Sequence, residues 1–252
     1  MLRKFGQNRT EKENLQLAAS TAIAAGMVNV VSVIAFFAFT SNVTGHMAIF
    51  AEEIVKGHWY QVWVVFAWLF LFLFGAFSSN FIVNSFKKKS QILGHSIPIS
   101  IELILLVIVG YYGHMHYKES LQETVFLVGA LLYSMGLQNG LVATISGGKV
   151  KTTHVTGLFT DLGMEIAMYV NPKYKTTEEL KSKLRLHVTI GTSYFLGGVF
   201  GGYMFMLLDF KVFYLVCVIL AIVLYLDFSI ILRYKMLRKA VERRAATESS
   251  SG

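Results

Sequence analysis

Six long apolar runs, at about 17–39, 60–83, 96–113, 124–146, 186–208 and 211–232, alternate along the chain with short polar and charged stretches. Each is near the roughly 20 residues that a helix needs to cross about 30 Å of hydrocarbon. The pattern predicts an all-α integral membrane protein with six spans. Only Leu208-Asp209-Phe210-Lys211 joins the fifth run to the sixth, so these two form an antiparallel pair. Gly197, Gly198, Gly201 and Gly202 give overlapping small-xxx-small spacing, which lets helices approach closely. Two further segments, about 46–56 and 157–170, are helical in pattern but too short to cross.

The short segments are introduced by related sequences. Thr40-Ser41-Asn42-Val43-Thr44-Gly45 recurs 112 positions later as Thr152-Thr153-His154-Val155-Thr156-Gly157. Gly26-x-x-Asn29 recurs as Gly136-x-x-Asn139 at an offset of 110. The matches keep their order and their place relative to the apolar runs, so the chain reads as two copies of one unit. Residues 1–16 form a polar lead-in, 17–116 the first three-span repeat and 117–233 the second. The stretch 234–252 reads as a basic segment running into a disordered tail. Three spans per copy is an odd number, which turns the second copy upside down. Inverted repeats of this kind place sites near the midplane, where broken helices expose backbone groups to a cavity.

Composition agrees with a membrane setting. The chain is 54% hydrophobic with only 15% charged residues, against roughly 25% charged in soluble domains. The first apolar run is long enough to be retained as a span and is not a removed signal. The net charge of +8 does not point to nucleic acid, because the basic residues follow the loops and do not gather on one face. With the N-terminus inside, only Lys56, Lys118 and Lys211 of the 23 Lys and Arg fall outside. That asymmetry predicts cytoplasmic termini. Trp59, Tyr60, Trp63, Tyr111 and Tyr112 fit an outer interfacial belt.

At this level of detail Gly26-Met27-Val28-Asn29, Thr44-Gly45, Gly136-Leu137-Gln138-Asn139 and Val150-Lys151-Thr152-Thr153-His154-Val155-Thr156-Gly157 become distinctive. The chain resembles the YoaK family of six-span bacterial membrane proteins of unknown function. The resemblance covers nearly the whole chain, and the second-half motif is its specific part. It implies Asp where Asn29 stands and Asn where His46 stands. This chain therefore lacks an ionisable group on its first span, which weakens a proton-coupling scheme built there. It also implies a bacterial inner membrane and supplies no substrate.

Asn29 and Asn139 lie inside spans, where an amide either bonds across helices or contributes to a shared site. In the functional reading Thr44 or Thr156 caps a short half-helix, Gly45 or Gly157 relieves strain at the turn, and the helix N-terminus faces a cavity. In the plainer reading the short helices lie flat at the interface, with Asp161 and Glu165 in water. Glu102 and Asp227 are the clearest ionisable residues within apolar runs and are candidates for proton coupling, with Asp161 and Glu165 beside them. Each of these also has a plain alternative in an interfacial or paired carboxylate. His114-x-His116 near Glu119 is too weak a pattern for a metal site. Cys217 excludes disulfides within the chain. No catalytic constellation or cofactor motif is found, so an enzyme is not expected.

The sequence thus predicts a transporter or channel for a small polar or anionic solute, lined by Asn29, Thr44, Gly45, Asn139, Thr156 and Gly157. The alternative is a membrane sensor or scaffold whose basic loop at 173–185 docks a protein or anionic lipid. Whether copies of the chain associate is left open.

Overall fold

A computed structural model describes residues 10–86, 90–174 and 177–225. Asp227 and the tail at 234–252 lie outside the described residues, which contain no strand. The helices are α1 (Glu11–Phe36), α2 (Val43–Lys56), α3 (Trp59–Phe86), α4 (Gln91–Met115), α5 (Leu121–Ser146), α6 (Val155–Val170) and α7 (Glu178–Leu208). A 3-10 turn, Asp209–Lys211, leads into helix α8 over 212–225. Five stretches are long and apolar enough to cross a membrane, the last being Glu178–Tyr225 taken as one. Asp209, at φ 53°, breaks that stretch into α7 and α8.

The first span starts earlier than its apolar run, because Thr10 and Glu13 form a reciprocal capping box that begins the helix at Glu11. The expected lead-in is therefore partly α1 itself. Ser120 and Glu123 start α5 in the same way.

Two helix pairs, α1 with α7 and α3 with α5, form the framework. A β-carbon on Gly26 would overlap the carbonyl of Tyr194, and one on Gly197 would overlap that of Ile23. In the other pair, Gly136 meets the carbonyl of Phe72 and Gly75 that of Tyr133. Both pairs run parallel, as contacts further apart show: Glu11 meets Arg185 and Ile34 meets Gly202, while Trp68 meets Val125 and Asn80 meets Thr144. Lipid tails are as apolar as the side chains they would replace. Close packing, more than hydrophobic transfer, therefore holds such pairs together. Helix α8 runs antiparallel to α4, with Phe210 against Gly113, Phe213 against Gly110 and the Cys217 thiol near the Leu103 carbonyl. The rings of Phe36, Tyr117, Phe205 and Phe210 close that end of the bundle, with centroids 5.4–5.6 Å apart.

The outer surface is apolar where lipid would lie: Phe70, Phe74, Phe77 and Phe81 stack along an exposed face of α3. At the start of α7, Lys181, Lys183 and Arg185 are paired with Glu178, Glu179 and Glu11.

Replacing Gly197 by Val should lower the apparent melting temperature of the detergent-solubilised protein sharply. The overlap is with backbone of α1, so the cost should reach or exceed the roughly 1–3 kcal/mol of ordinary overpacking. Gly163→Ala, in open space on α6, should leave stability unchanged or raise it by up to about 1 kcal/mol.

Candidate functional site

After each of α1 and α5 the chain turns back on itself. Helix α1 ends at Phe36, yet Thr40 and Ser41 bond to Asn29, seven residues earlier. At 1.5 Å per residue that is a return of about 10 Å along the helix. Helix α5 ends at Ser146, and Thr152 and Thr153 bond to Asn139, again seven residues earlier. The short helices α2 and α6 thus start about two turns short of the ends of α1 and α5, with Asn42, Thr44, His154 and Thr156 exposed at their first turns. Each then runs antiparallel to the long helix that follows. His46 and Phe50 meet Trp68 and Phe66 of α3, and Leu158 and Glu165 meet Gly191 and His187 of α7.

The two amides hold these breaks. Asn29 Oδ1 accepts from the Thr40 N–H at 2.9 Å, the Ser41 hydroxyl at 3.0 Å and, more weakly, the Thr40 hydroxyl at 3.4 Å. Asn139 Oδ1 accepts from the Thr152 hydroxyl at 3.1 Å, while its Nδ2 donates to Thr153 Oγ1. An unpartnered N–H or C=O in an apolar interior costs several kcal/mol, so a non-helical stretch there needs such partners. The Ser146 hydroxyl contributes by accepting from Val150 N–H at 3.0 Å.

Both breaks open on one cavity of about 550 Å³. Its walls are matched in pairs: Asn29 with Asn139, Ser41 with Thr153, Asn42 with His154, Val43 with Val155, Thr44 with Thr156, and Phe72 with Tyr194. Tyr194 OH lies 3.2 Å from the Ser41 hydroxyl, linking α7 to the first break. Lys151 is the one charged residue in the described lining. Phe39, at the matching place in the first half, is held by a 2.7 Å bond between its carbonyl and His46 Nε2.

Asn29, Asn139, Thr44 and Thr156 therefore come together, but Gly45 and Gly157 do not line the cavity. Two roles expected from sequence are corrected. The cap of α2 is not Thr44 but Asn42, whose Oδ1 accepts from Gly45 N–H at 2.9 Å, and α6 has no side-chain cap at all. Thr44 and Thr156 sit within the first helical turn. Neither Gly45 nor Gly157 has a positive φ; a β-carbon there would strike the side chain of Asn42 or His154. These glycines make room for the residue three positions earlier.

Asp161 and Glu165 do share a face, but the face turns inward. They line a second cleft with Thr177 and Lys183, and Glu165 is buried with its Oε2 3.0 Å from His187 Nδ1. Phe159, Ile166 and Val170 are the exposed side of α6. Glu165 thus faces the bundle together with Leu158 and Leu162, while Asp161 is only half-buried. His187 is the partner the sequence reading missed; its i, i+4 neighbours offered no signal, because Glu165 lies 22 residues away. Glu102 is fully buried, 2.9 Å from Gln138 Nε2. Its Oε2 and Gln138 Oε1 have no partner among the described residues. Gln138 and Asn139, adjacent on α5, serve different places: one reaches Glu102, the other the cavity.

A family described as "Protein of unknown function (DUF1275)" matches residues 17–226. The chain belongs to this family. No curated protein matches the chain, and no solved structure does. The match covers the span-forming part of the molecule, from α1 through α8, and identifies an uncharacterised family of membrane proteins; it carries no activity with it.

Asn29→Ala should cost on the order of 1–3 kcal/mol, since Thr40 N–H and Ser41 lose their acceptor. Hydrogen exchange at residues 38–42 should accelerate. Asn29→Asp keeps the acceptor oxygen and should leave exchange there near that of the unaltered protein.

Proposed function

We propose that the chain is a multi-pass transporter or channel for a small polar or anionic solute, built as six spans in two inverted three-helix repeats. The observation that carries this reading is the convergence of two interrupted segments on one cavity with pairwise matched walls. The scaffold supports it further. Ile23 and Gly26 correspond to Tyr133 and Gly136 at an offset of 110, and Phe72 and Gly75 correspond to Tyr194 and Gly197 at an offset of 122. Under that correspondence, the contact of Gly26 with the Tyr194 carbonyl maps onto the contact of Gly136 with the Phe72 carbonyl. The first span of each repeat packs against the second span of the other, as a twofold axis in the membrane plane requires.

In this arrangement α2 and α6 are re-entrant half-helices whose N-terminal ends face the solute, with Asn29, Thr44, Asn139 and Thr156 around it. Gly45 and Gly157 act behind them, seating Asn42 and His154. The Lys and Arg asymmetry supports cytoplasmic termini, and a bacterial inner membrane is what the family resemblance implies. Lys56, Lys118 and Lys211 all fall at the end closed by the Phe36–Phe210 ring cluster, the outer end. Glu102, a carboxyl with no bonded cation among the described residues, is the leading candidate for proton coupling. Glu165 with His187, Asp161 and Asp227 follow it.

The scaffold reading draws less support. Lys181, Lys183 and Arg185 of its basic loop are already paired with Glu178, Glu179 and Glu11.

Reconstitution tests the proposal. Proteoliposomes containing the protein should take up a solute that empty liposomes exclude. Asn139→Ala and Thr156→Ala should reduce that uptake at least tenfold in protein that remains folded, and Glu102→Gln should flatten its pH dependence. Uptake indifferent to the cavity substitutions would contradict the site, and a pH profile unmoved by Glu102→Gln would remove its coupling role.

A further inference from the structure

The two halves of the cavity are not equivalent, and the difference says what it holds. At the first break, Asn42 caps α2 by accepting from Gly45 N–H at 2.9 Å. At the second, His154 occupies the same position but makes no cap. Nothing among the described residues accepts from the first-turn N–H groups of α6, a 16-residue helix whose N-terminus carries a partial positive charge. Beside it stands Lys151, which has no ion-pair partner among the described residues and replaces the Phe39 of the other half. Across the cavity, Asn29 is 8% exposed. Its Oδ1 is occupied by the Thr40 N–H and the Ser41 hydroxyl, which leaves Nδ2 as a donor with no acceptor among the described residues. No Asp or Glu is among the described residues that line the cavity. Donors without acceptors, one lysine and an uncapped helix start are the complement of negative charge.

We propose that the solute is a small anion, seated at the N-terminal turn of α6 between Lys151 and the Asn29 amide. This rests on the solute-site reading above and narrows it to one charge class and one half of the cavity. The α2 end, already capped, serves as a wall. The asymmetry also predicts how to close the site. Asn in place of His154 should bond Gly157 N–H as Asn42 bonds Gly45 N–H, filling the anion's place with the protein's own acceptor. Such a change should keep or raise stability while removing binding, which mere structural damage would not do.

The test uses the full chain purified in detergent, with ionic strength held by sodium HEPES. Chloride, acetate and inorganic phosphate are titrated as sodium salts, with glucose and urea as neutral probes. Apparent melting temperature is the readout, because a ligand of the folded state raises it in a saturable way. At least one anion should do so and the neutral probes should not. Lys151→Gln and His154→Asn should each weaken that anion's apparent Kd at least tenfold, and Lys211→Gln, at the distant end, should not change it. The melting temperature of His154→Asn without anion should match or exceed that of the unaltered protein. If that variant fails to fold, Lys151→Gln alone decides.

An absence of saturable anion binding would overturn the inference, as would binding that neither cavity variant weakens. A neutral probe that binds through Asn139 yet ignores Lys151→Gln would overturn the anion while leaving the solute site intact. Loss of the solute-site reading itself would show instead as uptake insensitive to Asn139→Ala and Thr156→Ala.

Discussion

Everything distinctive in this molecule depends on two side-chain amides meeting the hydrogen-bonding demand of backbone that stops being helical inside an apolar bundle. A continuous helix satisfies its own N–H and C=O groups; an interrupted one exposes them to surroundings that cannot. Asn29 and Asn139 sit seven residues before the ends of α1 and α5 and reach out to the returning chain. By drawing each loop back, they fix where α2 and α6 start and therefore where the two helix N-termini point. Site geometry here is a consequence of local satisfaction of polar groups. The breaks exist because something stabilises them, and the cavity exists because the breaks face each other.

That local arrangement needs a rigid frame, and close packing supplies one. Where glycine brings a helix backbone against the carbonyls of its neighbour, as Gly26 and Gly136 do, there is no compliant side chain in between. Asn29 lies one turn beyond Gly26, and Asn139 one turn beyond Gly136, so the contact that locks each helix pair also sets the position of its amide. Phe72 and Tyr194 extend the coupling, since their carbonyls take the glycines and their rings line the cavity. A shift between paired helices would therefore be felt at the site directly. Glu102, one helix away, connects to the same α5 through Gln138.

Much of this was legible in the sequence, for definite reasons. Hydrophobic run length revealed the long helices, and the Thr-rich echo at 112 positions marked both breaks because the same side chains have the same work to do in each. Asn29 and Asn139 stood out as amides in apolar surroundings. What was hidden lay in contacts between distant segments. Gly75, with Ser79 four residues on, is a single small-xxx-small pair without the doubled glycines of Gly197–Gly202, yet it is the counterpart of Gly197. Its offset of 122 differs from the 110 of the first spans because the second half is longer around the connection at 171–177. The caps were misassigned to Thr44 and Thr156 because helix starts cannot be placed to within a turn from pattern alone; the true starts made Asn42 and His154 the cap positions. The inward face of α6 was missed because its partner His187 belongs to another helix.

The central claim is that the starts of α2 and α6 share one cavity within the bilayer. Cross-linking tests it most directly: Thr44 and Thr156 each replaced by Cys, Cys217 by Ala, and the full chain treated in native membranes with a short bifunctional thiol reagent. The account predicts efficient intramolecular linkage of 44 to 156, and much less when 156 is paired instead with a cysteine at Val55, at the far end of α2. Failure of 44 and 156 to link, with both thiols reacting freely as separate solvent-exposed sites, would contradict it.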